Sequence, residues 1–491
     1  MITFDLSSKR AKLAIRFFTY GVMTVSTIVL STILVFFALG YRLDRNFNFT
    51  QGGLVQFRSF PDNADVVVDG KKQDFKTPNK LNMAAGQHTT TISLQGYRPW
   101  TKAFSLDPGQ LVWLNYARLI PNSITTANVH EFDGLTQLSA SPDRHWLLLQ
   151  QKPDTPDFVL ADMGNEKEPK YSSFQLPENL LTKQDNKFGA FEIIEWDLSS
   201  RYVLIKHQIG AVREYLRVDR TKLQEPVNIT RVFGLPTQEA HFSGNNPNII
   251  FANTESVLRR LDLGNSSASG VLVNGLKQFV VYGANAIAFS SEQEHTAGDA
   301  ASKQQLVGIL KDDKTTIVRT VPLEQQPIFA YSEYDNHEYL ALTSADSSKV
   351  DVIRDPSATG NKDTNTIFAQ FDLGISARWL SFSNNGRMII VQNGSTFATY
   401  DLEEAKSYQT TLNFGADIAT PLRWLDDFYL WTDAGGTLRI FEFDGKNDRE
   451  ITGLFAGRGV MLSTNGKRLF STSQNGAGKT YLQASILTTE Q

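Results

Sequence analysis

RWLSFSNNGRMIIVQNGSTFATYDL, residues 378–402, holds one cycle of the pattern that organises most of this chain. An apolar stretch around Trp379 runs into a polar turn (Ser383, Asn384, Asn385, Gly386), a second apolar stretch follows from Met388, and a third ends on Asp401. Short apolar runs punctuated by Asn, Gly and Ser read as β-strands, since those residues accept the turn conformations that strands do not use. The order recurs at Leu138 (LSASPDRHWLLLQ), Ile193 (IIEWDLSSRYVLIKH), Ala240, Val280, Ile328 (IFAYSEYDNHEYLALT), Leu422 and Val460 (VMLSTNGKRLFSTS). Third stretches such as DFVLADM, EYLRVDR and KVDVIRD follow, often closing on Asp.

Eight units are countable over residues 121–491, and their central turns near 143, 199, 245, 284, 335, 385, 426 and 465 are about 46 residues apart, the length of a four-stranded propeller blade. Radial repetition explains how so long an all-β segment avoids exposed strand edges. Seven blades stay open as a count, because the unit at Val280 is degenerate and carries a polar loop, EQEHTAGDAASKQQ. The last unit is one strand short, and TTANVHEF at Thr125 precedes the first unit without a repeat of its own. Residues near 125–132 are therefore expected to complete the final blade.

Residues 17–41 contain no charge and thirteen Val, Ile, Leu or Phe. As a helix they span roughly 37 Å, and the apolar side chains favour insertion into a bilayer by roughly 4 to 8 kcal/mol. The hydroxyls of Thr19, Thr24, Ser26, Thr27, Ser31 and Thr32 offset part of this unless they bond back to the preceding turn. Lys9, Arg10, Lys12 and Arg16 precede the run, against Arg42 and Arg45 with Asp44 after it, so the N-terminus is expected in the cytoplasm. A cleaved signal peptide is the competing reading, with Ala38, Leu39 and Gly40 as a small-x-small site, but the run is longer than a signal's apolar core. The division that follows is a tail at 1–16, a transmembrane helix at 17–41, a stalk at 42–52, a small β-domain at 53–120 and the repeat array at 121–491.

In the small domain, LVQFRSF, DVVVDG, TTTISL and TKAFSL read as strands, with Val66, Val68, Ile92 and Leu94 in period-2 alternation. Asp69 and Gly70 mark a tight hairpin. This segment resembles the PEGA domain, a small β-sandwich-like module of prokaryotic envelope proteins. The likeness is carried by Gly53, Leu54 and Val55, Pro61 to Ala64, Val68 to Gly70, Thr77 and Pro78, Gly86 to His88, Gly96 and Tyr97, and Pro108 and Gly109. Where the module has Pro-Glu-Gly-Ala this chain has Pro-Asp-Asn-Ala, and Asn63 tolerates the left-handed conformation that glycine would supply. The resemblance implies an envelope-surface or scaffolding role and no catalytic residues. The repeats, in turn, resemble those of periplasmic Tol and dipeptidyl-peptidase-type propellers, whose turn reads like Trp-Ser-Pro-Asp-Gly; Ser141, Pro142 and Asp143, and Ser383, Asn384, Asn385 and Gly386, come nearest. The fold class expected is thus an all-β ectodomain, a PEGA-like β-sandwich plus a propeller, behind one N-terminal transmembrane helix.

Chemical signatures are sparse. The chain has no cysteine, hence no disulfide or thiolate chemistry, and for an exported protein this points to a prokaryotic envelope. Its net charge is −4, and with net +3 on the first sixteen residues the remainder holds about −7, which argues against nucleic-acid binding. Gly264 to Ala268 misses a serine-nucleophile elbow by its last residue. Gly476 to Thr480 ends like a phosphate loop but has Ser473 where the first glycine belongs. The histidines at 88, 130, 145, 207, 241, 295 and 337 show no ligand spacing, and Asp444 to Asp448 lacks the alternating acids of a calcium loop. Trp196, Trp379, Trp424 and Trp431 read as packing between blades rather than as a sugar-binding groove.

No catalytic, cofactor or metal site is expected. The function expected is a membrane-anchored envelope protein that binds another envelope protein or a cell-wall polymer. The alternative is a glycan or peptide hydrolase or lyase working in the propeller channel. A sensor fits poorly with a cytoplasmic tail of about sixteen residues.

Overall fold

The computed structural model describes residues 9–38, 41–43, 49–244, 246–297, 300–358, 366–414 and 420–488, and every count given is of those residues. The chain divides into two units, Met1–Asn122 and Ser123–Gln491.

In the first unit a helix runs over Lys9–Ala38, and its segment Ile15–Phe36, of mean hydropathy 1.8, buries none of its surface within the protein. Four of the six hydroxyls satisfy themselves locally. Thr19, Thr24, Thr27 and Thr32 each donate to the carbonyl four residues back, at 2.8 to 2.9 Å, which removes the main polar cost of an apolar surrounding. The helix starts earlier and ends sooner than the uncharged run 17–41. Tyr41 is no longer helical; Tyr41–Leu43 is extended and pairs with Phe49–Gln51, so the expected stalk already contributes two strands.

Two sheets form the small β-domain. One is built on the strand Phe49–Phe60, which pairs antiparallel with Asn79–Ala84 and parallel with Leu111–Arg118. The other runs in the order Lys71–Lys76, Asp65–Val68, Gly86–Ser93, Trp100–Leu106. Alternate residues of both (Val55, Phe57, Val66, Val68, Ile92, Trp100, Leu114) share one core. The PEGA-like turn behaves as its sequence requires, with Asn63 at φ 64°. Thr77 holds that turn in place: its Oγ1 accepts from the Ala64 amide at 3.0 Å, its amide donates to Ala64 at 3.0 Å, and its carbonyl accepts from Asn63 at 2.8 Å. Asp69 and Gly70, at φ 48° and 76°, make the expected hairpin. Gly53 is set by close approach, since a Cβ there would lie 2.6 Å from Leu106.

The second unit is a propeller of eight blades. Blades 1 to 7 occupy residues 137–175, 190–228, 239–274, 276–321, 327–372, 379–411 and 423–453, with consecutive strands antiparallel neighbours. Blade 8 takes three strands from 461–486 and its fourth from Thr126–Phe132, which pairs antiparallel with Thr480–Ile486. The closing strand therefore lies where the sequence placed it. The degenerate unit is a complete blade 4: its polar loop is drawn into two long strands, Ala286–Ala297 and Ala300–Lys311, paired along their length. Side chains of adjoining blades merge into shared clusters. Phe158, Phe191 and Ile205 join blades 1 and 2, Ala341, Val352 and Ile389 join 5 and 6, and Phe132, Leu138, Leu147 and Phe470 join 8 to 1. Each fully buried phenylalanine contributes about 1.5–3 kcal/mol, so the ring is held by its inter-blade faces.

Candidate functional site

Antiparallel succession puts the first and third turns of every blade at one end of the ring, and side-chain hydrogen bonds hold many of those turns. In three blades the first turn has one design. Ser141 Oγ bonds Asp143 and accepts the Trp146 amide at 3.0 Å; Ser383 Oγ bonds Asn385 at 2.8 Å and accepts the Met388 amide at 3.0 Å; Ser463 Oγ bonds Asn465 at 2.9 Å and accepts the Arg468 amide at 3.0 Å. Blade 2 replaces the serine with Asp197, whose Oδ1 accepts from the amides of Arg201 and Tyr202. The following residue needs positive φ, met by Arg144 at 60°, Ser200 at 59°, Gly386 at 79° and Gly466 at 69°. Gly386 has a second reason: a Cβ there would stand 2.3 Å from the Glu333 carbonyl of blade 5. Turns also grip their neighbours, Asp143 N donating to Ser200 Oγ at 3.1 Å and Asn385 N to Asp427 Oδ1 at 3.1 Å.

The Asp that ends many third strands is a clamp. In blade 2, Asp219 caps its own turn through the Thr221 amide at 2.9 Å and takes Arg201 from the first turn. Burial opposes ionisation of Asp219, but the hydrogen bonds from Arg201 and Thr221 outweigh it and hold its pKa at about 2. Blade 6 repeats the arrangement with Arg387 forked onto Asp401, 2.9 Å from Nε and 2.7 Å from Nη2, both residues buried.

At this end a cleft of about 660 Å³ opens among the first turns of blades 2 to 6. Its carboxylates are committed. Glu195 accepts from the Phe242 amide at 2.6 Å and faces His241 Nδ1 at 3.2 Å; Asp197 is held in its turn; Glu333 pairs with Lys311 at 3.3 Å. His241 lies between Glu195 and Glu239, 3.1 Å from the latter. Burial pushes its pKa down, but the two carboxylates prevail and raise it to about 9, so it is an imidazolium at neutral pH that ties the inner strands of blades 2 and 3. Leu198 stands exposed at the rim, and Trp196 Nε1 is buried beside the cleft with no partner among the described residues. A second cleft, of about 520 Å³, lies at the seam between blades 8 and 1.

The sequence candidates take structural places. Gly264 to Ala268 is a hairpin capped by Asp262, which accepts the Gly264 amide at 2.8 Å. Gly476 to Thr480 is also a hairpin: Asn475 Oδ1 takes the amides of Ala477 and Lys479, and Lys479 Nζ meets Glu131 and Asp133 at 3.2 and 2.8 Å. Asp444 accepts the Lys446 amide and Asp448 pairs with Arg439, making the turn between third and fourth strands of blade 7. His88 bonds Asp69, His337 bonds Asp355, His130 stacks on Tyr171 at 4.0 Å, and His145 lies near Asp143. The side chain of His295 lies outside the described residues. Among those described, no His, Asp and Glu cluster is suited to a metal ion. Trp196 and Trp431 are buried, and Trp379 and Trp424 pack half-buried on the core between blades 6 and 7.

Sequence reading missed the network around Glu214. This fully buried carboxylate accepts from the Thr182 amide at 2.8 Å, Asn228 at 3.2 Å and Arg231 at 3.0 Å, and bonds His207 Nδ1 at 2.9 Å. Burial opposes its ionisation, but these bonds hold its pKa at about 2 and pin the loop before blade 2 to the short helix Ile229–Phe233. Its partners come from three separate segments, around Thr182, His207 and Asn228 to Arg231, which no local spacing links.

Residues 53–119 match the PEGA domain family, and the chain as a whole joins such a domain to a β-propeller behind one N-terminal apolar helix. No curated protein matches the sequence. Among solved structures the chain is similar to the Cps50 (Swd1) β-propeller domain of Myceliophteria thermophila, at 12% identity over 74% of this chain and 100% of that one, with a TM-score of 0.36. It is also similar to oligogalacturonate lyase from Vibrio parahaemolyticus (9% identity, 74% and 99% covered, TM-score 0.39). Porphyromonas gingivalis dipeptidyl peptidase 4 is similar at 10% identity over 73% of this chain and 58% of that one, with a TM-score of 0.46.

Proposed function

We propose that the chain is a membrane-anchored binding protein of a prokaryotic cell envelope, not an enzyme. The helix spans the membrane once with the N-terminus in the cytoplasm, following the excess of Lys and Arg on that flank. The PEGA domain and the propeller stand outside, and the end of the ring that carries the first turns is the recognition surface for an envelope protein or wall polymer. What supports this most is the cleft over blades 2 to 6: Glu195, Asp197 and Glu333 are each held in structural bonds, whereas a hydrolase or lyase needs a carboxylate left to give or take a proton. Rigid turns with outward polar groups suit recognition instead. The test is in-cell photo-crosslinking from Leu198 at the cleft rim and from Val212, an exposed residue on the second turn of blade 2. Adducts to one envelope component from Leu198 and none from Val212 are expected. Equal, diffuse labelling from both positions, or turnover of wall fragments by the purified chain, would refute the reading.

A further inference from the structure

Strand register sets blade 8 apart from blades 2 and 6, which carry the Arg–Asp clamp. At the first position where second and third strands pair, the third-strand residue is acidic in blades 1, 2, 3, 6 and 7 (Asp162, Asp219, Asp262, Asp401 and Glu442) and not in blades 4, 5 and 8. Blade 8 keeps the cation and lacks the acid. Lys467 occupies the place of Arg387 in Ser-Thr-Asn-Gly-Lys against Ser-Asn-Asn-Gly-Arg, Arg468 follows it, and the residue opposite Arg468 is Ile486. Among the described residues neither cationic side chain has a hydrogen-bond or ion-pair partner, although blades 2 and 6 neutralise theirs.

Both cations line the 520 Å³ cleft at the seam, together with Lys167 and one carboxylate, Glu166, which is occupied by Asn465 Nδ2 at 3.2 Å. The remaining wall is rich in hydroxyls and amides, and Ile486 is its one apolar side chain beyond alkyl stems. Thr488, also on this wall, is only 7% exposed, and its Oγ1 has no partner among the described residues.

We propose that this seam cleft binds an oxyanion carried on a saccharide chain, its carboxylate or phosphate seated on Lys467 and Arg468 in place of the missing clamp acid. Cations meet the oxyanion by charge-assisted hydrogen bonds, and the hydroxyl and amide wall meets the sugar hydroxyls. An acidic peptide is the poorer fit, because peptides dock through apolar anchors that this wall does not offer pockets for. The proposal rests on the binding-protein reading and names the class of polymer bound.

The test is calorimetric titration of the detergent-solubilised full chain with three probes: a glucuronate–N-acetylglucosamine tetrasaccharide, a phosphodiester-linked N-acetylglucosamine oligomer, and a neutral N-acetylglucosamine tetramer. Binding of at least one acidic probe is expected, weakened by salt, with the neutral tetramer at least about tenfold weaker. Which acidic probe binds tells carboxylate from phosphate. Ile486→Asp restores the clamp acid and is expected to weaken acidic binding about tenfold or more, with the melting midpoint kept or raised. The double variant Lys467→Ala, Arg468→Ala, at exposed and half-exposed positions, should do the same if Ile486→Asp folds poorly. Binding of neither acidic probe, equal binding of the neutral one, or acidic binding unchanged in the double variant overturns the proposal. Cross-linking from Leu198 that survives in Ile486→Asp would then show that only the seam site, and not the wider reading, has failed.

Discussion

Removing the aromatic ring of Phe132 asks whether the eight blades melt as one body. Phe132 is 5% exposed and packs with Leu135, Leu138, Met461, Phe470 and Leu482, so it touches the last blade and the first at once. It also meets Tyr171 edge-on at 5.9 Å. Truncating a buried phenylalanine to alanine costs about 3–5 kcal/mol, through lost burial plus the cavity left behind. The strand's exposed ion pairs, Lys479 with Glu131 and Asp133, add little to that figure. At about 2.1 cal/mol/K of unfolding entropy per residue, a unit of about 370 residues has a slope near 0.8 kcal/mol/K, so Phe132→Ala should lower the midpoint by about 4–6 °C. Calorimetry gives that number, and hydrogen exchange gives the reason. In a closed ring the amides of Thr480–Ile486 and of blade 4 lose protection together. A midpoint shift under about 1 °C, with protection lost in Thr480–Ile486 alone, would mean that the closing strand frays by itself and that closure does not set global stability.

Two further outcomes follow from the buried charges. Arg387→Ala leaves buried Asp401 beside Glu403 and Glu404 without its ion-pair partner and should cost about 3–5 kcal/mol in denaturant unfolding, against little for the exposed Lys222→Ala; equal effects would refute the clamp. His241 is raised to about 9 when folded, above its unfolded value of about 6.5, so its contribution is complete below pH 6.5 and is lost as pH rises through 9. Wild type should therefore lose up to roughly 3 kcal/mol relative to His241→Gln between pH 6 and pH 10, and parallel stability curves for the two proteins would sink this assignment.

How much was legible differs between the two units for physical reasons. The repeat was readable because one local device writes it: a serine or aspartate that bonds two to five residues ahead and a positive-φ residue after it, all within six positions of sequence. The closing strand was readable by arithmetic, since a final blade with three strands needs a fourth. Edge strands were not. Lys71–Lys76 and Asn79–Ala84 lie at sheet edges with few buried side chains, so nothing imposed an apolar alternation on them. Blade 4 misled for the opposite reason, because its second and third strands continue as a two-stranded ribbon whose polar residues look like a loop.

The clamp and the seam cleft stand further from what a linear reading reaches. Arg201 and Asp219 are eighteen residues apart and Arg387 and Asp401 fourteen, separations fixed only by the length of the intervening hairpin. The terminal Asp was visible as a recurring letter, yet its role needed the register that sets it against the cation of the first turn. Once that register is known, the informative residue is the one that departs from the pattern. Ile486 would read as an ordinary strand residue in any other blade. Opposite Arg468 it leaves Lys467, among the described residues, without the acid that Arg201 and Arg387 have, at the seam where the two ends of the ring meet. That position is where the seam-cleft proposal seats a ligand's oxyanion, held by charge-assisted hydrogen bonds from Lys467 and Arg468.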